Sequence, residues 1–297
     1  SSYQLAYQQR AQLRVRIQLA TTPEFVHLPW EYLCDPVRAE FLALSVHSPM
    51  LRYMDLMHHI LPLKVDGPLR MLVVIPAPAG YPAIELEREW HTLLDTLDHL
   101  ALDGKLKLER LQKPTLFDLQ RRLRQGEYHL LHFIGHTLYD PSAQDGLFVF
   151  EEETGRSRPV SGQHLGSLLR DHYALRLVVL QPCQRAQITM PNPYVAIAPS
   201  LVQRGLPAVV SLQFPINALA GFADPFYTAI ANRQPVDVAV ADARRSMASE
   251  QGGVAWAAPL LLMRTPDGRL FETTQRAAAK SDNAHDNRTR RLPFVAR

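Results

Sequence analysis

Residues 128–136, YHLLHFIGH, and residues 177–183, LVVLQPC, decide how this chain is read. Each is a short, continuous apolar run, the pattern of a strand buried on both faces of a parallel sheet. Each also stops on a reactive side chain, His136 after Gly135 in the first run and Cys183 in the second. In open α/β sheets chemistry collects beyond the carboxyl ends of such strands. A thiol is mostly protonated at neutral pH, so a cysteine nucleophile needs a base or a positive neighbour. His136 and Cys183 delivered by two strands meet that need. Spacing alone leaves a second reading open, in which Cys183 is only a small buried apolar residue.

Outward from these runs, the chain from residue 70 alternates strand and helix. Strands are predicted at 71–75, 105–111, 128–134, 175–180, 208–212 and 259–263. Helices are predicted at 84–100, from a capping box of Thr115 and Asp118, from Ser161, around 199–204, and at 218–231 and 236–249. A hairpin is expected over 146–158. The order predicts an α/β fold with a mostly parallel sheet flanked by helices on both faces. Before it, 13–19 alternates as a half-buried strand, 27–35 suggests a helical turn, 40–45 and 50–54 read as strands, and 61–69 as a connector. Residues 1–65 thus form a small β-rich extension, 66–271 the core, and 272–297 a polar basic tail, disordered or a linker.

The composition narrows the classes. The chain has 297 residues, is 46% hydrophobic and 21% charged, and carries a net charge of +3, which argues for neither nucleic-acid nor membrane partners. No apolar run approaches the roughly 20 residues of a spanning helix. No leader is visible, and two cysteines, Cys34 and Cys183, make neither a disulfide framework nor a metal pattern, so a cytoplasmic setting is expected. No G-x-G-x-x-G or P-loop follows a predicted strand, which weakens a nucleotide-binding sensor. His58-His59 lacks the company of carboxylates, and no metal or organic cofactor is expected. His129 and His132 are read as packed or hydrogen-bonded, Arg244-Arg245 as a helix face, Trp30, Trp90 and Trp256 as core, and Cys34 as structural. The basic end with Arg288, Arg290 and Arg291 is read as solvated.

Several blocks occur together in order: LPWEYLCDP, EFLALS, HFIGH, DGLFVFEEE, LVVLQPCQRAQ, LVQRGLPAVVSLQFPI, ADARRSM and WAAPLLL. In these the chain resembles the CHAT family, caspase-like domains often found with TPR repeats, over roughly residues 10–271. The resemblance implies a caspase–hemoglobinase fold and a cysteine endopeptidase acting on a protein substrate. Cys183 would be the nucleophile and His136 the general base, with the backbone N–H groups of Cys183 and Thr137 as the oxyanion hole. It also implies gating by a partner or fused domain, TPR-like or a sensor, in a bacterial defence or cell-death pathway. Thr137 stands where the family has Gly, and Leu180-Gln181-Pro182-Cys183 where LNAC is usual, so the alternative is a catalytically inactive scaffold. Arg185 is a nearby positive charge that would favour the thiolate. Gln181 occupies the position where relatives that cut after Arg or Lys often carry an acid, so it is a substrate-pocket candidate against a strictly basic P1. Asp140 and Asp145 are further candidates, with solvated loop carboxylates as their plainer reading.

Overall fold

The structure, a computed structural model, describes residues 13–19, 25–56, 60–183, 190–216, 219–251 and 253–273. In chain order its strands are β1 (Val15–Ile17), β2 (Cys34–Asp35), β3 (Glu40–Phe41), β4 (Met50–Tyr53), β5 (Leu63–Lys64), β6 (Leu69–Val74), β7 (Leu106–Arg110) and β8 (Leu130–Gly135). Then come β9 (Thr137–Asp140), β10 (Asp145–Glu151), β11 (Ser157–Ser161), β12 (Leu177–Pro182), β13 (Ala208–Leu212), β14 (Pro259–Met263) and β15 (Phe271–Glu272). The helices are α1 (Leu86–Leu102), α2 (Leu116–Gln125), α3 (Gly162–Leu169), α4 (Pro193–Gln203), α5 (Leu219–Ala231) and α6 (Val236–Gln251).

Eight strands make the central sheet, in the order β1-β4-β14-β13-β12-β8-β6-β7. Neighbours run parallel except where β14 meets β13. The expected α/β class and mostly parallel sheet are therefore present. Alternate residues of the same strand feed opposite cores, which is why the runs are apolar without a break. Met71, Val73, Leu130, Ile134, Leu177 and Val179 face one core, closed by α1, α5 and α6. Leu72, Val74, Leu131, Phe133, Val178 and Leu180 face the other, under α2, α3 and α4. Each such side chain contributes about 1.5–3 kcal/mol on full burial.

The β-rich N-terminal stretch continues this sheet, with β1 and β4 pairing in parallel on the far side of β14. Buried ionic groups fasten it there. Arg52 binds Glu31 through two nitrogens, at 3.2 and 2.9 Å, and donates to the carbonyls of Val26 and, at 3.0 Å, Leu28. Arg244 lies on a helix, as expected, but on its buried side. It is fully buried and donates to the carbonyls of Pro259 (3.0 and 2.6 Å), Met50 (3.2 Å) and Ala43 (3.4 Å). Burial lowers its pKa to about 10, so it stays charged and ties α6 to β14, β4 and the turn before it.

Other expectations shift locally. The strand predicted at 40–45 is only the two residues of β3, followed by a 3-10 turn at Leu42–Leu44. The connector at 61–69 contains β5, which pairs with β15. The helix predicted at 199–204 begins earlier, where Asn192 accepts from the Tyr194 amide at 3.0 Å and Pro193 suits the first turn. Residues 274–297, including the basic tail, lie outside the described residues.

Candidate active site

Order along the sheet places the site. The chain passes from β6 outward to β7, then returns to β8 on the other side of β6 before stepping to β12 and β13. That reversal opens a crevice at the strands' carboxyl ends. β8 and β12 are paired as far as Ile134 with Gln181 and Gly135 with Pro182, so His136 and Cys183 leave the sheet side by side. Gly135 is required there, because a Cβ would lie 2.9 Å from the Phe133 ring.

The Cys183 sulfur lies 3.7 Å from Nδ1 of His136 and 3.7 Å from Nε2. Nε2 is also 2.9 Å from the carbonyl oxygen of Pro82, in the loop that follows β6. A carbonyl only accepts, so Nε2 carries the proton and Nδ1 carries the lone pair. Being equally distant from both nitrogens, the sulfur is not yet in line with that lone pair. The Tyr81 ring packs 5.2 Å from the imidazole, centroid to centroid. The same loop is tied to the β10–β11 hairpin by bonds from the Ala77 amide to Glu151 Oε1 (2.6 Å) and from the Ala79 amide to the Gly155 carbonyl (2.9 Å). Both reactive groups are nearly enclosed, Cys183 at 1% exposure and His136 at 5%.

The two expected oxyanion donors differ in setting. The Cys183 amide donates to the Gly135 carbonyl at 3.4 Å, at the weak end of the hydrogen-bond range. That carbonyl also accepts from the Tyr194 hydroxyl at 2.5 Å. Thr137 opens β9 opposite Phe148. Its hydroxyl is buried near that of Tyr194 but does not meet it, or any other group among the described residues, in hydrogen-bonding geometry.

Beneath the pair, on the same face, Gln181 accepts from Nε2 of His132 at 2.9 Å, and Nδ1 of His132 is 2.9 Å from the Tyr227 hydroxyl. Burial lowers the His132 pKa to about 4, so this imidazole is neutral. His129 is likewise engaged, accepting from the Arg70 amide at 2.8 Å.

The two aspartates do not join the pair. Asp145 corrects the reading of a solvated turn carboxylate: it is 1% exposed and accepts from the amides of Gly146 and Gln163 (both 2.9 Å) and from Ser200 (2.7 Å). It fastens β10 to the start of α3 and to α4. Asp140 is half-buried and bends its own loop, accepting from the Ser142 hydroxyl (2.6 Å) and the amides of Ser142 and Ala143. These bonds, the Ser142 hydroxyl first, hold its pKa below the usual value. Cys34 is exposed in β2. Among the described residues no three His, Cys, Asp or Glu side chains group as a metal site. His58, His59 and Arg185 lie outside those residues.

Pro82, Tyr81 and Tyr194 were not anticipated. The first acts through a main-chain carbonyl, which no residue type signals. The other two meet the site only through contacts made across the fold.

The CHAT domain family's sequence profile matches residues 3–265, and the chain belongs to that family. No curated protein matches it. Among solved structures, the crystal structure of the Arg-specific cysteine proteinase gingipain R is similar at a TM-score of 0.49 with 11% identity, over 90% of this chain and 67% of that one. No helix among the described residues is long and apolar enough to cross a membrane.

Proposed function

We propose that this chain is a cysteine endopeptidase that cleaves a protein substrate through Cys183 and His136, gated by a partner or fused domain. The observation that carries the reading is the sulfur 3.7 Å from an imidazole whose Nε2 is held on the Pro82 carbonyl, leaving Nδ1 as the base. A small rotation of the ring brings Nδ1 in line. Nδ1 then takes the thiol proton as the sulfur attacks the scissile carbonyl carbon. The Pro82 carbonyl stabilises the imidazolium that forms and fixes its orientation. The resulting oxyanion is received by the amides of Cys183 and Thr137, the former exchanging its long bond to Gly135 for the stronger acceptor. The proton on Nδ1 passes to the leaving amine, whose bond to the carbonyl breaks and leaves a thioester. Water, deprotonated by Nδ1, attacks that thioester, and the released thiolate recovers the proton.

Enclosure of the thiol supports the gated part of the reading, since a peptide carbonyl reaches Cys183 only when its surroundings move. The family's caspase-like members give the expected setting, a bacterial defence or cell-death pathway. The test is mass-mapped labelling by a peptidyl electrophile library on wild type, Cys183→Ala and His136→Ala, with and without candidate partners. Labelling confined to Cys183 and lost with His136→Ala is expected. Cys183 labelling no faster than exposed Cys34 under every condition would leave the inactive scaffold as the function.

A further inference from the structure

Away from the dyad lies a cavity of about 530 Å³, within the roughly 300–1,000 Å³ of ligand sites. It sits between α4 and the strands β4 and β14, on the sheet face opposite α5 and α6. Its floor is apolar, with Met54, Val195 and Leu262. Its rim carries amides, Gln144, Gln163 and Gln203. Among the described residues the one formal charge in the lining, Arg52, is already neutralised by Glu31. Whatever fills the floor is therefore uncharged.

Two further features point to an occupant. His27 lines the cavity, and its Nδ1 is buried without a hydrogen-bond partner among the described residues. Burial, and then the neighbouring Arg52 charge, lower its pKa, so it offers a neutral imidazole. An unpaired buried polar atom costs about 1–3 kcal/mol until something satisfies it. At the rim, Gln144 holds φ at 50°, a left-handed conformation that a glutamine rarely adopts without cause.

The cavity wall also continues into the dyad. Val195 lines it, and the adjacent Tyr194 donates to the Gly135 carbonyl, which takes the Cys183 amide as well. Tyr139 and Gln144 belong to the strand and loop that start directly after His136. A shift of α4 or of this loop acts on both reactive residues.

We propose that this cavity is a docking site for an uncharged, apolar peptide segment of a partner polypeptide, and that docking resets the bonds around Gly135 at the dyad. Glutamine side chains both donate and accept, which matches peptide groups; an alkyl chain would leave them, and His27, unsatisfied. The resetting half rests on the peptidase reading, whereas the docking half stands without it.

The experiment titrates acetyl-Leu-Ala-Leu-amide into the full chain by calorimetry, for wild type, Ala196→Trp, which fills the cavity, and His27→Leu, which removes only the unpaired nitrogen. Saturable binding is expected, weakened roughly tenfold or more in both variants as for an anchor position. His27→Leu keeps the test decisive if Ala196→Trp folds poorly. Absence of saturable binding, equal binding in all three proteins, or saturable binding of dodecanol in place of the peptide overturns the docking site. In parallel, alkylation of Cys183 by iodoacetamide should change severalfold at saturating peptide; an unchanged rate overturns the coupling. Peptide binding with no proteolysis under any condition would sink the peptidase reading and leave the docking site standing.

Discussion

The interior of β8 and its carboxyl end each present a histidine on the same face, four positions apart, in opposite circumstances. His132 is sealed, and both its ring nitrogens are engaged, by Gln181 and by Tyr227. His136 has one nitrogen on a main-chain carbonyl and leaves the other opposite a sulfur, out of line. Next to it Thr137 buries a hydroxyl with no partner among the described residues. Full satisfaction is what a core requires, because each unpaired group there costs free energy. Incomplete satisfaction at the strand end is therefore where function is to be sought. The difference is positional: two pleat repeats separate a residue that serves the fold from one free to serve chemistry.

The largest expected effect exploits that separation. His136→Ala should lower peptide cleavage by roughly a thousandfold or more, as losses of a general base do. Its unfolding free energy in urea should fall by only about 1–2 kcal/mol, since the truncation leaves a void at the strand end and the Pro82 carbonyl loses its donor. A large loss of stability with modest loss of rate would reverse the roles assigned to the two ends of β8.

His132 should show the converse. Its folded pKa of about 4 lies below the unfolded value of 6.5. As pH falls the unfolded chain therefore binds this proton first. The contribution is complete above pH 6.5 and fades as pH drops towards 4, by about 3 kcal/mol in all. His132→Leu lacks this dependence but leaves Gln181 and Tyr227 without their partner, costing about 2 kcal/mol at pH 7.5. Urea titrations of the two proteins should thus cross near about pH 5. Parallel curves across that range would mean that His132 is not buried neutral, and the contrast with His136 would fail.

How much of this was legible follows from which signals are local. HFIGH and LVVLQPC reveal the strands because a buried parallel strand is apolar on both faces, and they point to the His136–Cys183 pair because those side chains follow directly. Thr115 and Ser161 likewise mark helix starts, each accepting from the amide three residues on. Asp145-Gly146 misled because the pair is a common turn signal, whereas Asp145 is buried by contacts with residues 163 and 200. The burial of Arg244 went unsignalled because its partners are carbonyls brought by β4 and β14, nearly two hundred positions away in the case of Met50 (|i−j| = 194). Pro82 was invisible for a different reason: any residue supplies a carbonyl, and only the loop's path brings this one to His136.

Thr137 offers the smallest effect and the finest test. Its side chain sits at the head of β9, 8% exposed, with the hydroxyl unpaired among the described residues. Valine has nearly the same shape and suits a strand at least as well. If Thr137 belonged to the satisfied interior, there would be no hydroxyl to relieve and Thr137→Val would be neutral or harmful. Because the hydroxyl is unpaired, the substitution should stabilise the fold by about 1 kcal/mol. The same protein should cleave peptide as before if only the main-chain amide of residue 137 meets the oxyanion, since that amide is retained. A gain in stability joined to a loss of kcat with KM unchanged would instead place the hydroxyl on the transition state. The unpaired group would then be a second functional feature of the strand end rather than a packing fault beside it.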